Sequence, residues 1–274
     1  MSESSAVAKD RAAARERKLA FRGGGFVIEQ RTWMSVLAFI GLVGVWELVT
    51  GTGLVSPIFL PSPTRVVRAL WELAVSGDLW RHVSASLMRI GYGWTIGTLF
   101  GVAFGLMIGL FTVSRAVGLP LVAALFPIPK IALLPLLILW LGIGEGSKVA
   151  TIALSVFFPT VIATFSGVDS VPRNLIRMAQ SFNVPLWRIV LQVLVPGALA
   201  GMLAGFRISI AAALLVLVAA EMIGAQYGLG AFLILTGNMM QTDRLMAGVV
   251  VVSVLGLAMS LIVGFLERRL LRWR

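Results

Sequence analysis

The sequence predicts an all-α, polytopic membrane protein with about six transmembrane helices. Three observations carry that class. The chain of 274 residues is 58% hydrophobic and only 13% charged, against roughly 45–50% and about 25% for soluble domains. Its apolar residues gather into long runs separated by short polar stretches. Its basic residues gather at the ends and in one internal loop, as the positive-inside rule requires. The net charge of +11 is therefore read as a topology signal and not as a nucleic-acid footprint. With no cysteine and one histidine, His82, disulfides, thiolate chemistry and multi-histidine metal sites are excluded. No metal is expected.

Residues 1–32 form a basic tail in which Lys9, Arg11, Arg15, Arg17, Lys18, Arg22 and Arg31 outnumber Glu3, Asp10, Glu16 and Glu29. This reads as a cytoplasmic tail or a membrane-surface helix, and not as a cleaved signal peptide. Residues 33–274 read as one membrane domain. Trp33–Thr50 is the first span, at about 1.5 Å of rise per residue. Leu60–Pro63 (LPSP) is a turn, since proline removes a backbone donor. Thr64–Val75 is amphipathic, with Val66, Val67, Leu70 and Leu73 expected on one face. Asp78–Arg89 is a mixed stretch, with His82 read as a surface side chain. Ile90–Phe111 is the second span. Its glycines fall at 93, 97, 101, 105 and 109, every fourth residue, forming one narrow stripe for close helix approach. The stripe suits either static packing or a sliding surface.

Val117–Leu141 is the third span and holds Pro120, Pro127, Pro129 and Pro135, with Lys130 among them. A charge at that depth is a candidate substrate-path residue, unless the broken helix places it shallower. Gly142–Lys148 (GIGEGSK) lacks the G-K-[ST] ending of a phosphate-binding loop and is read as an outer loop. Val149–Val168 is the fourth span and Gly197–Gly224 the fifth. The fifth holds Arg207 and Glu221, about 21 Å apart along a straight helix and too far to pair. Arg207 is the second candidate cation for the path of an anion. Gln226–Leu245 is an outer segment, Met246–Leu266 the sixth span, and the end is arginine-rich.

Six spans place both termini on the side that holds the tail, Arg115, the loop arginines and Arg268, Arg269, Arg272 and Arg274. The other side holds Arg65, Arg68, Arg81, Lys148 and Arg244, with Arg89 at a membrane edge. Asp169–Pro196 is then cytoplasmic. It carries Arg173, Arg177 and Arg188 and no acid after Asp169. Asp169, Ser170 and Pro172 are helix-starting residues, and Asn174–Phe182 can form a short helix. Leu175, Ile176, Ala179 and Phe182 are expected near one side. Asn183 can take a left-handed cap, and Pro196 is expected to end the segment.

This loop resembles the EAA loop of binding-protein-dependent ABC transporter permeases, E-A-A-x3-G-x9-I-x-L-P. Arg177, Met178 and Ala179 stand at E-A-A, Asn183 at the glycine, and Val193, Leu194, Val195 and Pro196 at I-x-L-P. Arg177 replaces a carboxylate by a cation. From about Leu60 onward, LPSP, Pro127–Lys148, Phe157–Thr160, Gly205–Gly230 and the arginine-rich end are similar to the permeases for aliphatic sulfonates, nitrate and taurine. The resemblance implies a bundle around a five-helix core and import of a small anion, with ATP bound by a partner subunit and no cofactor on this chain. It implies two ATPase subunits, a second permease copy and a periplasmic or lipid-anchored substrate-binding protein, in an inner membrane. It also implies ATPase coupling through Arg177, Met178, Ala179, Phe182 and Asn183. The alternatives are an ion-gradient-driven secondary transporter, which would need an acidic coupling site in a span, and a membrane-embedded enzyme, for which clustered catalytic residues are missing.

Overall fold

The computed structural model describes residues 32–271, and every described element is helical. The basic segment 1–32 lies outside them but for Thr32. Contacts separate the chain into two units, with the boundary after Leu48 inside the first helix, α1 (Thr32–Gly51). α1 is itself long and apolar enough to cross a membrane. The rest of the architecture belongs to the second unit.

That unit begins with α2 (Pro63–Ser76), whose N-cap Ser62 accepts from the Arg65 N–H and whose first turn holds Pro63. Val66, Ala69 and Leu73 are its buried face, while Val67, expected among them, is exposed. A single residue, Gly77 at φ 82°, turns the chain into α3 (Asp78–Leu110). α3 runs unbroken for 33 residues, so the mixed stretch before Ile90 and the second span are one helix. Nothing in Asp78–Arg89 breaks a helix, and its polar residues have partners described below.

The third span is bent. α4 (Thr112–Leu125) passes through Pro120 without interruption, and the chain breaks at Phe126–Pro129. It resumes as a 3-10 turn (Lys130–Leu133) and α5 (Leu134–Leu141), with an angle of 88° between the two limbs. Pro127 and Pro129 sit in the break, whereas Pro135 lies in the first turn of α5, where its missing N–H costs nothing. α6 (Glu145–Asp169) starts four residues earlier than expected, so Glu145–Lys148 belong to its first turn and only Gly142–Gly144 form a loop.

α6 is packed between two others. Against α3, a Cβ added at Gly93, Gly97, Gly101, Gly105 or Gly109 would lie 2.5–2.8 Å from the nearest atom, in Ile152, Ala153, Thr160, Thr164 and Val168 respectively. Val156 meets Gly97 in the same series. The stripe is thus a groove filled by a β-branched ridge at every fourth residue of α6, in constant parallel register. Dispersion across such a close approach is what holds helices together where no water is expelled. Against α9, a Cβ at Gly167, Gly201 or Gly205 would lie no more than 3.0 Å from Ala198, Gly167 and Ala163 respectively, in antiparallel sense.

After α6 come α7 (Arg173–Ser181), a short α8 (Leu186–Ile189), a π-helical turn (Val190–Leu194) and α9 (Val195–Met222). From Leu186 to Met222 these last three form one long apolar span. Pro196 therefore does not end the segment. A proline in a continuing helix clashes with the carbonyl four residues before it, and widening the preceding turn to π geometry makes room. α10 (Leu229–Asn238) and α11 (Thr242–Leu270) complete the unit. Among the described residues, five helices are long and apolar enough to cross a membrane, or six with the bent pair as one span.

Candidate functional site

The residues between α6 and α9 build a surface at one end of the bundle. α7 stops at a Schellman cap. The Val184 N–H donates to Ala179 O at 3.1 Å and the Asn183 N–H to Gln180 O at 2.9 Å, with Asn183 left-handed at φ 54°. This is the left-handed cap expected of Asn183. The cap fixes which side of α7 faces the bundle. Ile176 and Ala179, with Val184, pack on the core of Val168, Val171, Ile189, Leu194, Ala198 and Met202. Leu175 and Phe182 do not share that side, contrary to the expected grouping. They lie outward with Met178, and Phe182 is 77% exposed.

Leu186 and Trp187 extend the apolar surface, and Arg188 stacks over the Trp187 ring at 5.1 Å. Arg173 and Arg177 are also exposed. The result is an apolar patch to which its own segment adds only cations, since no acid occurs between Asp169 and Glu221 in the sequence. Asp169 itself is held at the root by Arg115 Nη1 at 2.9 Å. Of the five residues expected to act in this loop, Arg177, Met178, Phe182 and Asn183 are at the surface. Ala179 is the one turned inward.

The two candidate path cations are each occupied. Lys130 Nζ donates to the carbonyl oxygens of Leu125 (2.8 Å), Phe126 (3.0 Å) and Ile128 (2.7 Å) and sits 4.4 Å from the centre of the Phe158 ring. An ammonium has three hydrogens, and all three cap the end of α4 where the chain breaks. Arg207 Nη2 pairs with Glu267 Oε2 of α11 at 2.6 Å and is half exposed. It does not approach Glu221, in agreement with the expected spacing.

The opposite end holds a network that the sequence reading missed. Glu221, fully buried, accepts from Arg89 Nη1 at 2.7 Å, from Ser86 Oγ at 2.8 Å and from the Gly230 N–H at 2.9 Å. Arg89 also donates to Tyr227 O at 2.6 Å and forks onto Glu145, with Nε–Oε2 at 2.5 Å and Nη2–Oε1 at 2.7 Å. The Leu229 N–H donates to Ser86 Oγ at 2.9 Å, and Gly228 contacts His82 Nδ1. A Cβ on Gly228, at φ 141°, would strike Glu221 and Arg89 at 2.5–2.6 Å, so only glycine fits there. Arg89 and Glu221 are therefore buried within the bundle, and His82 is half-buried against the Tyr227 and Phe232 rings. The missed signal was positional. His82, Ser86, Arg89 and Gly93 follow one another at helical spacing on the glycine face, which is visible only if α3 is read as continuous.

A multi-span helical bundle with a small amphipathic helix presented at one end is the class that fold and site define. The sequence profile for "Binding-protein-dependent transport system inner membrane component" matches residues 97–272. The taurine transport system permease protein TauC of Escherichia coli K12 is 35% identical over 251 residues, covering 90% of this chain and 91% of TauC. The putative aliphatic sulfonates transport permease protein SsuC of Bacillus subtilis 168 is 34% identical, covering 88% of each. The inward-facing MetNI methionine ABC transporter has a chain that superposes with a TM-score of 0.63 at 17% identity, covering 72% of this chain and 98% of that one. The last likeness supports the fold alone. The chain belongs to the inner-membrane permeases of binding-protein-dependent ABC importers. It is a multi-pass transport subunit of the inner membrane.

Proposed function

We propose that this permease carries a small sulfonate, such as taurine or an alkanesulfonate, and that the outward face of α7 is where an ATPase subunit docks. The observation that carries the docking reading is the apolar, cation-rimmed patch of Met178, Phe182, Leu186 and Trp187, capped at Asn183. Large apolar side chains at the polar end of a membrane bundle mark a protein partner. The cationic rim of Arg173, Arg177 and Arg188 calls for acidic residues on that partner. The sulfonate reading rests on TauC and SsuC.

In this reading α7 lies in the cytoplasm with both termini, and Arg89 and Glu221 lie at the periplasmic end. The chain binds no nucleotide itself, ATP being held by two ATPase subunits. Two copies of the permease enclose the path, and a binding protein delivers the solute. ATP-driven closure of the ATPases moves the two α7 helices, and the bundle passes between two states because the partner binds them unequally. Because α7 is seated on the α6 and α9 ends through Ile176 and Ala179, motion of α7 is delivered to the helices packed about α6.

Glu221 is a buried acid of the kind that a gradient-driven transporter would need within a span. Its pairing with Arg89 and three-fold hydrogen bonding leave it no free role of that kind. The test is reconstitution of the permease with its ATPase and binding protein in proteoliposomes. Sulfonate uptake that requires ATP inside, and persists with ion gradients collapsed, is expected. Uptake that follows a proton or sodium gradient without ATP would overturn the reading.

A further inference from the structure

Arg89 is held in two ways that differ in character. Its inner edge is fixed by Glu221, whose side chain is 0% exposed, and by Tyr227 O. Its outer edge is forked by Glu145, whose side chain is 66% exposed although that of Arg89 is only 5% exposed. Lys148, one turn along α6, is likewise buried at 4% exposure, and its Nζ donates to Gly144 O at 3.0 Å. It lies within electrostatic reach of Glu145, Arg89 and Glu221. Without the Glu145 carboxylate, two buried cations would face one buried anion. The exposed carboxylate thus occupies a built anion site, and it can leave for water while Glu221 keeps the guanidinium aimed.

We infer that Arg89 and Lys148 form a transient binding site for the transported sulfonate at the periplasmic mouth, and that Glu145 is the resident anion the sulfonate displaces. This rests on the sulfonate-import reading above. A sulfonate carries one negative charge and presents two oxygens to a guanidinium fork, as the carboxylate does. Exchange of one such pair for another is close to balanced. That suits a station on a path, which must release what it binds. Removing the competing carboxylate tightens the site for small anions.

The test uses the permease–ATPase complex in nanodiscs without binding protein, titrated with radiolabelled ethanesulfonate and with sulfate. Glu145→Gln is expected to bind both at least tenfold more tightly than the wild type. Asp243→Asn makes the same charge change at an exposed residue of the same end and is expected to bind as the wild type does. Equal or weaker anion binding by Glu145→Gln, or equal tightening by Asp243→Asn, overturns the site. Uptake by the wild-type transporter is read separately. Tightened sulfate binding without any sulfonate uptake overturns the cargo and keeps the anion site. Normal uptake without tightened binding overturns the site and keeps the cargo.

Discussion

Gly97→Ala tests how closely the bundle is built around α6. The added methyl would lie 2.5 Å from Ala153 O and 2.7 Å from Val156 Cβ. Ordinary contact begins near 3.4 Å, so the shortfall against the carbonyl is about 0.9 Å (3.4 − 2.5). A side chain could rotate away, but a helix carbonyl cannot, so α3 and α6 must separate along the whole stripe. Overpacking of this kind costs about 1–3 kcal/mol. Gly91→Ala is the matched control, since a Cβ there meets nothing within 4 Å. Both variants gain the same helix propensity, about 0.5–1 kcal/mol, so the difference between them isolates the clash. About 1–2 kcal/mol corresponds to a factor of roughly 5–30 in the folded-to-unfolded ratio. Reversible unfolding in mixed micelles reads this directly. A Gly97→Ala protein as stable as Gly91→Ala would refute the close parallel packing of α3 on α6.

Three further outcomes are expected. Thr160 and Thr164 bury hydroxyls that find no hydrogen-bond partner among the described residues. Thr160→Val keeps the shape and removes that cost, so the unfolding midpoint should hold or rise, by about 1 kcal/mol. Glu221→Gln leaves Arg89 with the exposed Glu145 carboxylate alone and should cost about 3–5 kcal/mol, the usual loss when one partner of a buried pair is removed. Unchanged unfolding would remove the network from the fold. Lys130→Met exposes three carbonyls at the α4 break, so stability should fall by about 1–3 kcal/mol while the KM for uptake stays unchanged. A raised KM at unchanged stability would return Lys130 to the substrate path.

Most of the bundle was legible because membrane helices announce themselves by length and apolarity. The glycine stripe was legible too, as a repeat of four on one helix, and so was the left-handed cap at Asn183. What could not be read was the partner across each interface. The ridge of Ile152, Val156, Thr160, Thr164 and Val168 looks like ordinary apolar sequence until α3 is laid on it. Arg89 and Glu221 are 132 residues apart, and the pairing has no local signature. Breaking the chain at Arg89 hid the face on which His82, Ser86 and Arg89 stand. The inward turn of Ala179 followed from the cap, which decides the orientation of a nine-residue helix more firmly than its apolar pattern does. Pro196 misled because a π turn can absorb a proline that an α turn cannot.

In the proposed function, coupling in this permease depends on the outward face of α7 transmitting the work of ATP. The most direct measurement is sulfonate transported per ATP hydrolysed, in proteoliposomes containing Met178→Ala/Phe182→Ala beside the wild type. Both side chains are exposed, so the unfolding midpoint of the permease should not move. Uptake is expected to fall at least roughly tenfold, the equivalent of about 1.4 kcal/mol of lost docking, with transport per ATP falling with it. Wild-type uptake at the wild-type ratio would contradict the assignment of α7 as the coupling surface.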